Sequence, residues 1–135
     1  MPFYDDALRS LPEYHTLRAA AERFTLPAGV TGVSHIHKTH LIHTLCCDTG
    51  SRALVVVSDE GEAERLREDL TLLGDKALVF PARDLTLRAV ESLSREYEHV
   101  RLGVLAQMLE GDYNQVICCV DALSQFILPP DQLLR

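Results

Sequence analysis

An α/β domain with a mostly parallel sheet and flanking helices is the fold class that the sequence predicts. Short apolar runs of strand length alternate with stretches of helical periodicity. Strands that alternate with helices form a parallel sheet through right-handed crossovers. The 135 residues match the size of one domain, and 47% apolar with 24% charged residues is close to the globular average. This composition excludes a disordered chain and a coiled coil.

Two helices are predicted before the sheet begins, at Tyr4–Leu11 and Glu13–Phe24. Pro12 suits the first turn of the second helix, because proline lacks the N–H that would be unpaired there. Apolar residues recur at helical spacing in this second segment and form one face: Tyr14, Leu17, Ala21 and Phe24. We therefore divide the chain into an N-terminal helical segment, 1–25, and an α/β subdomain, 26–135.

The first half of the subdomain is predicted to run from strand to helix to strand. Ala28–Val33 has the pattern of a short strand, and Lys38–Cys47 follows as a helix. Ala53–Val57 is the clearest strand, because it is apolar without alternation, as in a strand that is covered on both faces. Ser58 or Asp59 then caps a helix that reaches about Leu73.

The second half repeats this alternation. Further strands are predicted at Lys76–Phe80 and Gln115–Val120, with a long amphipathic helix at Arg95–Glu110 between them. Residues Asp84–Leu93 show no clear pattern and are expected to be irregular. A short helix from Asp121 to about Phe126 ends the regular structure.

Charge and hydropathy limit the function classes. The chain has 13 basic and 20 acidic residues and a formal net charge of −7. An acidic domain repels the phosphate backbone, so DNA binding by this chain alone is not expected. No apolar run approaches the roughly 20 residues that cross a membrane. Asp5, Asp6 and Arg9 interrupt any signal peptide, so a cytoplasmic location and no membrane partner are expected.

The junction between the first predicted strand and its helix carries a phosphate-loop pattern. Such a loop has the form Gly-x-x-x-x-Gly-Lys-[Ser/Thr]. Gly32, Lys38 and Thr39 fall in register, whereas His37 replaces the second glycine. The alternatives at this point are an active nucleotide-binding enzyme with an unusual loop and an ordinary strand–helix turn.

Longer stretches resemble known repair proteins. Val30–Leu70 is similar to the opening of the excision-repair helicase UvrB, with a strand, a phosphate loop, a helix and a second strand. The continuation resembles the N-terminal UvrB-like module of the bacterial transcription-repair coupling factors, the Mfd family. This likeness rests on the order and spacing of four stretches: Val79–Leu85, Arg95–Gly111, Val116–Leu123 and Leu128–Pro130.

The resemblance implies a partial RecA-like or P-loop-like subdomain, of the type of UvrB domain 1a, and a chain that is a fragment. In that family the phosphate loop of this module is degenerate, which agrees with His37. The damage-probing hairpin of UvrB is rich in tyrosine, whereas Pro81–Ser94 is short and has none, so we expect this hairpin to be absent. The resemblance implies a non-catalytic scaffold with no cofactor of its own. ATP, Mg²⁺, DNA, UvrA and RNA polymerase would be bound by other domains of the parent, an ATP-dependent translocase.

Histidines and cysteines are concentrated around the third predicted helix, at His35, His37, His40, His43, Cys46 and Cys47. On a helix, His40, His43 and Cys47 share a face, and zinc prefers such ligands. Closed zinc sites usually draw on two separate segments, so solvated histidines and no metal are the expectation. Cys118 and Cys119 lie in an apolar run, where we expect small buried thiols.

Overall fold

The computed structural model describes residues 2–25, 27–82, 91–125, 127 and 129, with the backbone alone for residues 2–4 and 91–96. Nine elements lie within these ranges. In chain order they are α1 (Pro2–Arg9), α2 (Pro12–Glu22), α3 (His35–Thr49), β1 (Ala53–Val57), α4 (Glu60–Leu72), β2 (Ala77–Phe80), α5 (Glu91–Glu110), β3 (Gln115–Cys119) and α6 (Val120–Ser124).

The three strands form a parallel sheet in the order β1-β3-β2, which confirms the predicted α/β class. Central strand β3 pairs with both neighbours, and its Ile117 lies opposite Val55 of β1 and Val79 of β2. All five residues of β3 are buried, whereas the edge strands are only partly so. The central strand is therefore the one that is covered on both faces, as expected for a parallel sheet.

The predicted strand at Ala28–Val33 is wrong. These residues take no strand or helix conformation, and all except Val33 are exposed. Gly32 has a φ of +74°, in the left-handed region that interrupts an extended strand. With Gly29 and Gly32 in a segment this short, few side chains are left to bury, and glycine weakens a strand for the same reason.

The predicted helices are present in the structure, but several of them begin or end at other residues than predicted. Helix α3 begins at His35, three residues before the predicted start, and Gly50 ends it in a left-handed conformation with φ +62°. Helix α5 begins at Glu91, so the last part of the segment predicted as irregular is helical, while residues 83–90 lie outside the described residues. Val120 starts α6 instead of ending β3, and Phe126 lies outside the described residues.

Helices pack on both faces of the sheet. Helix α4 turns Ala63, Leu66 and Leu70 into the core on one face. On the other face α5 reaches β2, where the Arg101 guanidinium lies 4.1 Å from the centre of the Phe80 ring. The core thus has a helix on each side of its centre.

Strand β1 departs from the prediction that both its faces are covered. Leu54 and Val56 are 60% and 45% exposed, although their register partners Val116 and Cys118 are buried. Paired residues of parallel strands project to the same face. Among the described residues, this face of the sheet is therefore covered at β3 but not at β1.

No helix in the described part of the chain is long and apolar enough to cross a membrane.

Candidate functional site

The phosphate-loop pattern falls on a shorter loop than a phosphate loop requires. Only Val33 and Ser34 separate Gly32 from the first residue of α3. Ser34 is the N-cap residue, and its side chain makes no cap hydrogen bond; its hydroxyl lies 2.9 Å from Nδ1 of His37 instead. A phosphate loop surrounds the anion with backbone N–H groups between its two glycines. Here the second half of that stretch is already helical.

The lysine and threonine of the pattern point to different surroundings. Lys38 is exposed and borders a cavity of about 300 Å³, together with Ser58 and Glu62. Thr39 is only 3% exposed, and its hydroxyl donates to the carbonyl oxygen of His35 at 3.5 Å. The structure therefore does not bring the two functional groups to a common point.

A second group of polar side chains meets on the opposite half of α3. His43 and Cys47 lie one turn apart, with 3.9 Å between Nε2 of His43 and Sγ of Cys47. Nδ1 of the same imidazole is 2.8 Å from Oδ2 of Asp75. One possible ligand atom from each residue lies within 4.8 Å of those of the other two. We call these three residues the His–Cys–Asp cluster.

Asp75 reaches the cluster because of the turn that ends α4. Gly74 has a φ of +95°, a conformation that side-chain-bearing residues rarely adopt, and its N–H donates to Thr71. The N–H of Asp75 then donates back to Leu70 at 3.1 Å. This turn leaves the Asp75 side chain 7% exposed, facing α3.

Gln115 completes the surroundings of Asp75 from the central strand. Its side-chain amide is fully buried, and Nε2 donates to Oδ2 of Asp75 at 2.8 Å. Its Oε1 is also buried and has no hydrogen-bond partner among the described residues. The carboxylate of Asp75 is therefore fixed from two sides, by His43 and by Gln115.

The cluster favours a protonated thiol. Cys47 is exposed, but partial desolvation of its thiol raises its pKa, and the nearby carboxylate of Asp75 raises it further. A catalytic cysteine generally needs the opposite, a depressed pKa beside a cation. The arrangement can hold a proton or a cation between imidazole, thiol and carboxylate.

Two more acids anchor the N-terminal helices to α3. Oδ1 of Asp5 lies 2.8 Å from Nε2 of His40, and accepts from Thr44 at 3.3 Å. Asp48 accepts from Arg9 at 2.7 Å and from the Tyr14 hydroxyl at 2.8 Å. These contacts hold helices α1 and α2, which lie in the predicted helical segment 1–25, against α3.

The cysteine and histidine predictions have mixed outcomes. Cys118 and Cys119 are buried, as predicted. The prediction of solvated histidines is wrong for His40 and His43, whose side chains are only 16% and 11% exposed and pair with carboxylates. Asp75 was missed; the available signal was an acid immediately after the glycine that ends a helix.

Comparisons of the chain with models of protein families, with curated proteins and with solved structures found no match.

Proposed function

We propose that this chain is a non-catalytic scaffold, the first subdomain of the UvrB-like module of a transcription-repair coupling factor. The observation that carries the proposal is the start of α3 at His35, which leaves two residues where a phosphate loop needs a longer stretch. The parallel three-stranded sheet with helices on both faces is compatible with a partial RecA-like subdomain.

The loop chemistry supports a role without nucleotide. A working loop needs its second glycine so that the backbone can approach the phosphates. His37 occupies that position, and its ring is held against the Ser34 hydroxyl. The hydroxyl of Thr39, which would bind Mg²⁺ in an active loop, is buried against its own helix. Two of the groups that a nucleotide would need are thus absent or turned away at this site.

The uncovered face of β1 supports an interaction role. Leu54 and Val56 expose apolar surface on a strand whose outer edge has no partner strand among the described residues. An open edge with apolar side chains is a surface on which further protein can pack. In the proposal, other domains of the same protein occupy this surface.

The parent protein in this proposal is cytoplasmic and moves along DNA at the expense of ATP to displace stalled RNA polymerase and recruit excision repair. The contacts to DNA, UvrA and RNA polymerase belong to domains beyond this chain. The net charge of −7 is in line with a subdomain that does not itself bind DNA.

Calorimetric titration of the chain with Mg-ATP tests the scaffold assignment. We expect no binding below the millimolar range and no hydrolysis, because a loss of about 4 kcal/mol moves a micromolar site to millimolar. The control is Lys38→Ala, which should behave like the unaltered chain. A micromolar dissociation constant that Lys38→Ala abolishes would favour the alternative, an active P-loop enzyme with an atypical loop.

The family assignment has a separate test in the gene. Translation of the reading frame beyond the codon for Arg135 should give a UvrA-binding segment, then a polymerase-binding domain and a helicase pair. A stop codon at that position would count against the proposed parent, whatever the calorimetry shows.

A further inference from the structure

We propose that the His–Cys–Asp cluster binds Zn²⁺, with His43 Nε2 and Cys47 Sγ as direct ligands and Asp75 as the carboxylate that orients the imidazole. This site is independent of the phosphate-loop pattern. It lies on a different part of α3, and it joins that helix to the turn between α4 and β2.

The spacing of the two donor atoms suits one ion. Zinc–sulfur and zinc–nitrogen bonds of about 2.3 and 2.0 Å at a tetrahedral angle place the donors about 3.5 Å apart. Sγ of Cys47 and Nε2 of His43 are 3.9 Å apart, so a small side-chain rotation brings them to that separation. Cys47 is exposed, which gives the ion an entry path and leaves room for water at the remaining positions.

The Asp75 carboxylate fixes the imidazole in the form that a metal requires. A carboxylate oxygen accepts hydrogen bonds, so Oδ2 of Asp75 accepts from Nδ1–H of His43 at 2.8 Å. In the neutral imidazole this leaves the lone pair on Nε2, which lies 3.9 Å from Sγ of Cys47. Metal-bound histidines usually donate their other ring N–H to a carboxylate or carbonyl in this way. Gln115, fully buried on β3, holds the same carboxylate oxygen and so provides a further layer of support.

The charges around the thiol favour a dication. A carboxylate oxygen of Asp75 lies within 4.8 Å of the Cys47 sulfur, and its negative charge attracts a cation to this position. When Zn²⁺ binds, the S–H bond breaks, a sulfur–zinc bond forms and one proton passes to the solvent.

Titration of the metal-free chain with Zn²⁺ tests the proposal, by competition with a chromophoric chelator under reducing conditions. We expect one ion per chain. Cobalt, used as a spectroscopic substitute, should give a thiolate-to-metal charge-transfer band. Cys47→Ser should abolish this band, and His43→Ala should abolish stoichiometric binding. Asp75→Asn should weaken binding about 10- to 100-fold, as changes to orienting carboxylates do.

Two variants provide matched controls. Cys46→Ser removes the adjacent thiol, and His37→Ala removes an exposed imidazole from the first turn of the same helix; both should bind Zn²⁺ like the unaltered chain. Far-ultraviolet circular dichroism shows whether each variant is folded. Alkylation of Cys47 in the unaltered chain, followed by peptide mass spectrometry, gives a reading that needs no substitution, because bound Zn²⁺ should protect this thiol.

The proposal is overturned if Zn²⁺ fails to bind the folded chain at equimolar concentration. It is also overturned if Cys47→Ser retains the cobalt band, if Asp75→Asn binds as tightly as the unaltered chain, or if Zn²⁺ leaves the alkylation of Cys47 unchanged. Loss of binding in Cys46→Ser to the same degree as in Cys47→Ser would place the ion elsewhere and would likewise reject this cluster.

Discussion

The two ends of helix α3 differ in what holds them. In its first turn, Ser34 and His37 contact each other and Thr39 bonds to His35. Nδ1 of His35 lies 3.8 Å from Oδ2 of Asp69, and both side chains are exposed. From His40 to Asp48, by contrast, side chains bond to α1, to α2 and to the turn after α4; the residues that do so are His40, His43, Thr44 and Asp48.

The sequence motif and the side chains with distant hydrogen-bond partners therefore lie at different ends of α3. The first turn carries the pattern that suggests a phosphate site, yet its groups mostly satisfy each other locally. The second half matches no catalytic motif, yet its polar groups are half-buried and meet partners far away in the chain. Buried polar groups need partners, because an unpaired one costs about 1–3 kcal/mol. Substitutions at the two ends should therefore have very different effects.

The largest effect is expected at Asp48. In Asp48→Ala, Arg9 and Tyr14 lose the carboxylate that docks both N-terminal helices. Hydrogen bonds to charged groups contribute about 1.5–3 kcal/mol each, and the bonds at one carboxylate are not additive. We expect the free energy of unfolding to fall by about 2–3 kcal/mol, measured by urea denaturation with circular dichroism.

Asp112→Ala is the matched control for that variant. It removes an aspartate whose ion pair with Lys76 joins side chains that are 73% and 62% exposed. Exposed pairs contribute about 0–1 kcal/mol. If Asp48→Ala costs no more stability than Asp112→Ala, the second half of α3 is not the anchoring end.

The sequence predicted the sheet where local signals and burial agree. Gln115–Cys119 forms the fully buried central strand, and its apolar residues from Val116 onward fit an environment that is covered on both faces. Ala28–Val33 looked similar over a few positions, but Gly29 and Gly32 leave it little to bury. The order β1-β3-β2 and the exposure of Leu54 were not predictable, because both depend on which distant elements pack on β1.

Part of the His–Cys–Asp cluster could be predicted from the sequence. The four-residue spacing of His43 and Cys47 places them on one helix face in any helix, so this pair could be predicted from periodicity. Asp75 and Gln115 join them only because α4 returns beside α3 and β3 lies at the centre of the sheet. Such contacts arise from tertiary packing, which no spacing rule in a single sequence encodes.

The dependence of the free energy of unfolding on pH provides a further test of the contacts made by the second half of α3. The hydrogen bonds from Arg9 lower the pKa of Asp48; at Asp5, burial opposes ionisation, but bonds from His40 and Thr44 outweigh it and lower that pKa too. A depressed carboxyl pKa gives stability that is complete above the unfolded-state value of about 3.9 and is lost as pH falls through the folded value. Stability should therefore decline below about pH 5.

The same measurement on Asp48→Asn isolates one carboxylate. This variant cannot lose a charge there, so its free energy of unfolding should change less between neutral pH and about pH 3 than that of the unaltered chain. Urea denaturation at a series of pH values gives both curves. Parallel curves for the two proteins would mean that Asp48 does not contribute to acid sensitivity.

The smallest effect is expected at Lys38, in the first turn. Its side chain is exposed, and its neighbour Glu62 is already held by the Ser58 hydroxyl at 2.7 Å. Lys38→Ala also introduces a good helix former, so the free energy of unfolding should stay within about 0.5 kcal/mol. Thermal unfolding with Mg-ATP gives a second comparison of the unaltered chain with Lys38→Ala. A ligand present at 100 times its dissociation constant stabilises a protein by about 2.7 kcal/mol. We expect millimolar Mg-ATP to stabilise neither protein in thermal unfolding; stabilisation of the unaltered chain alone would show that the first turn of α3 is a binding site after all.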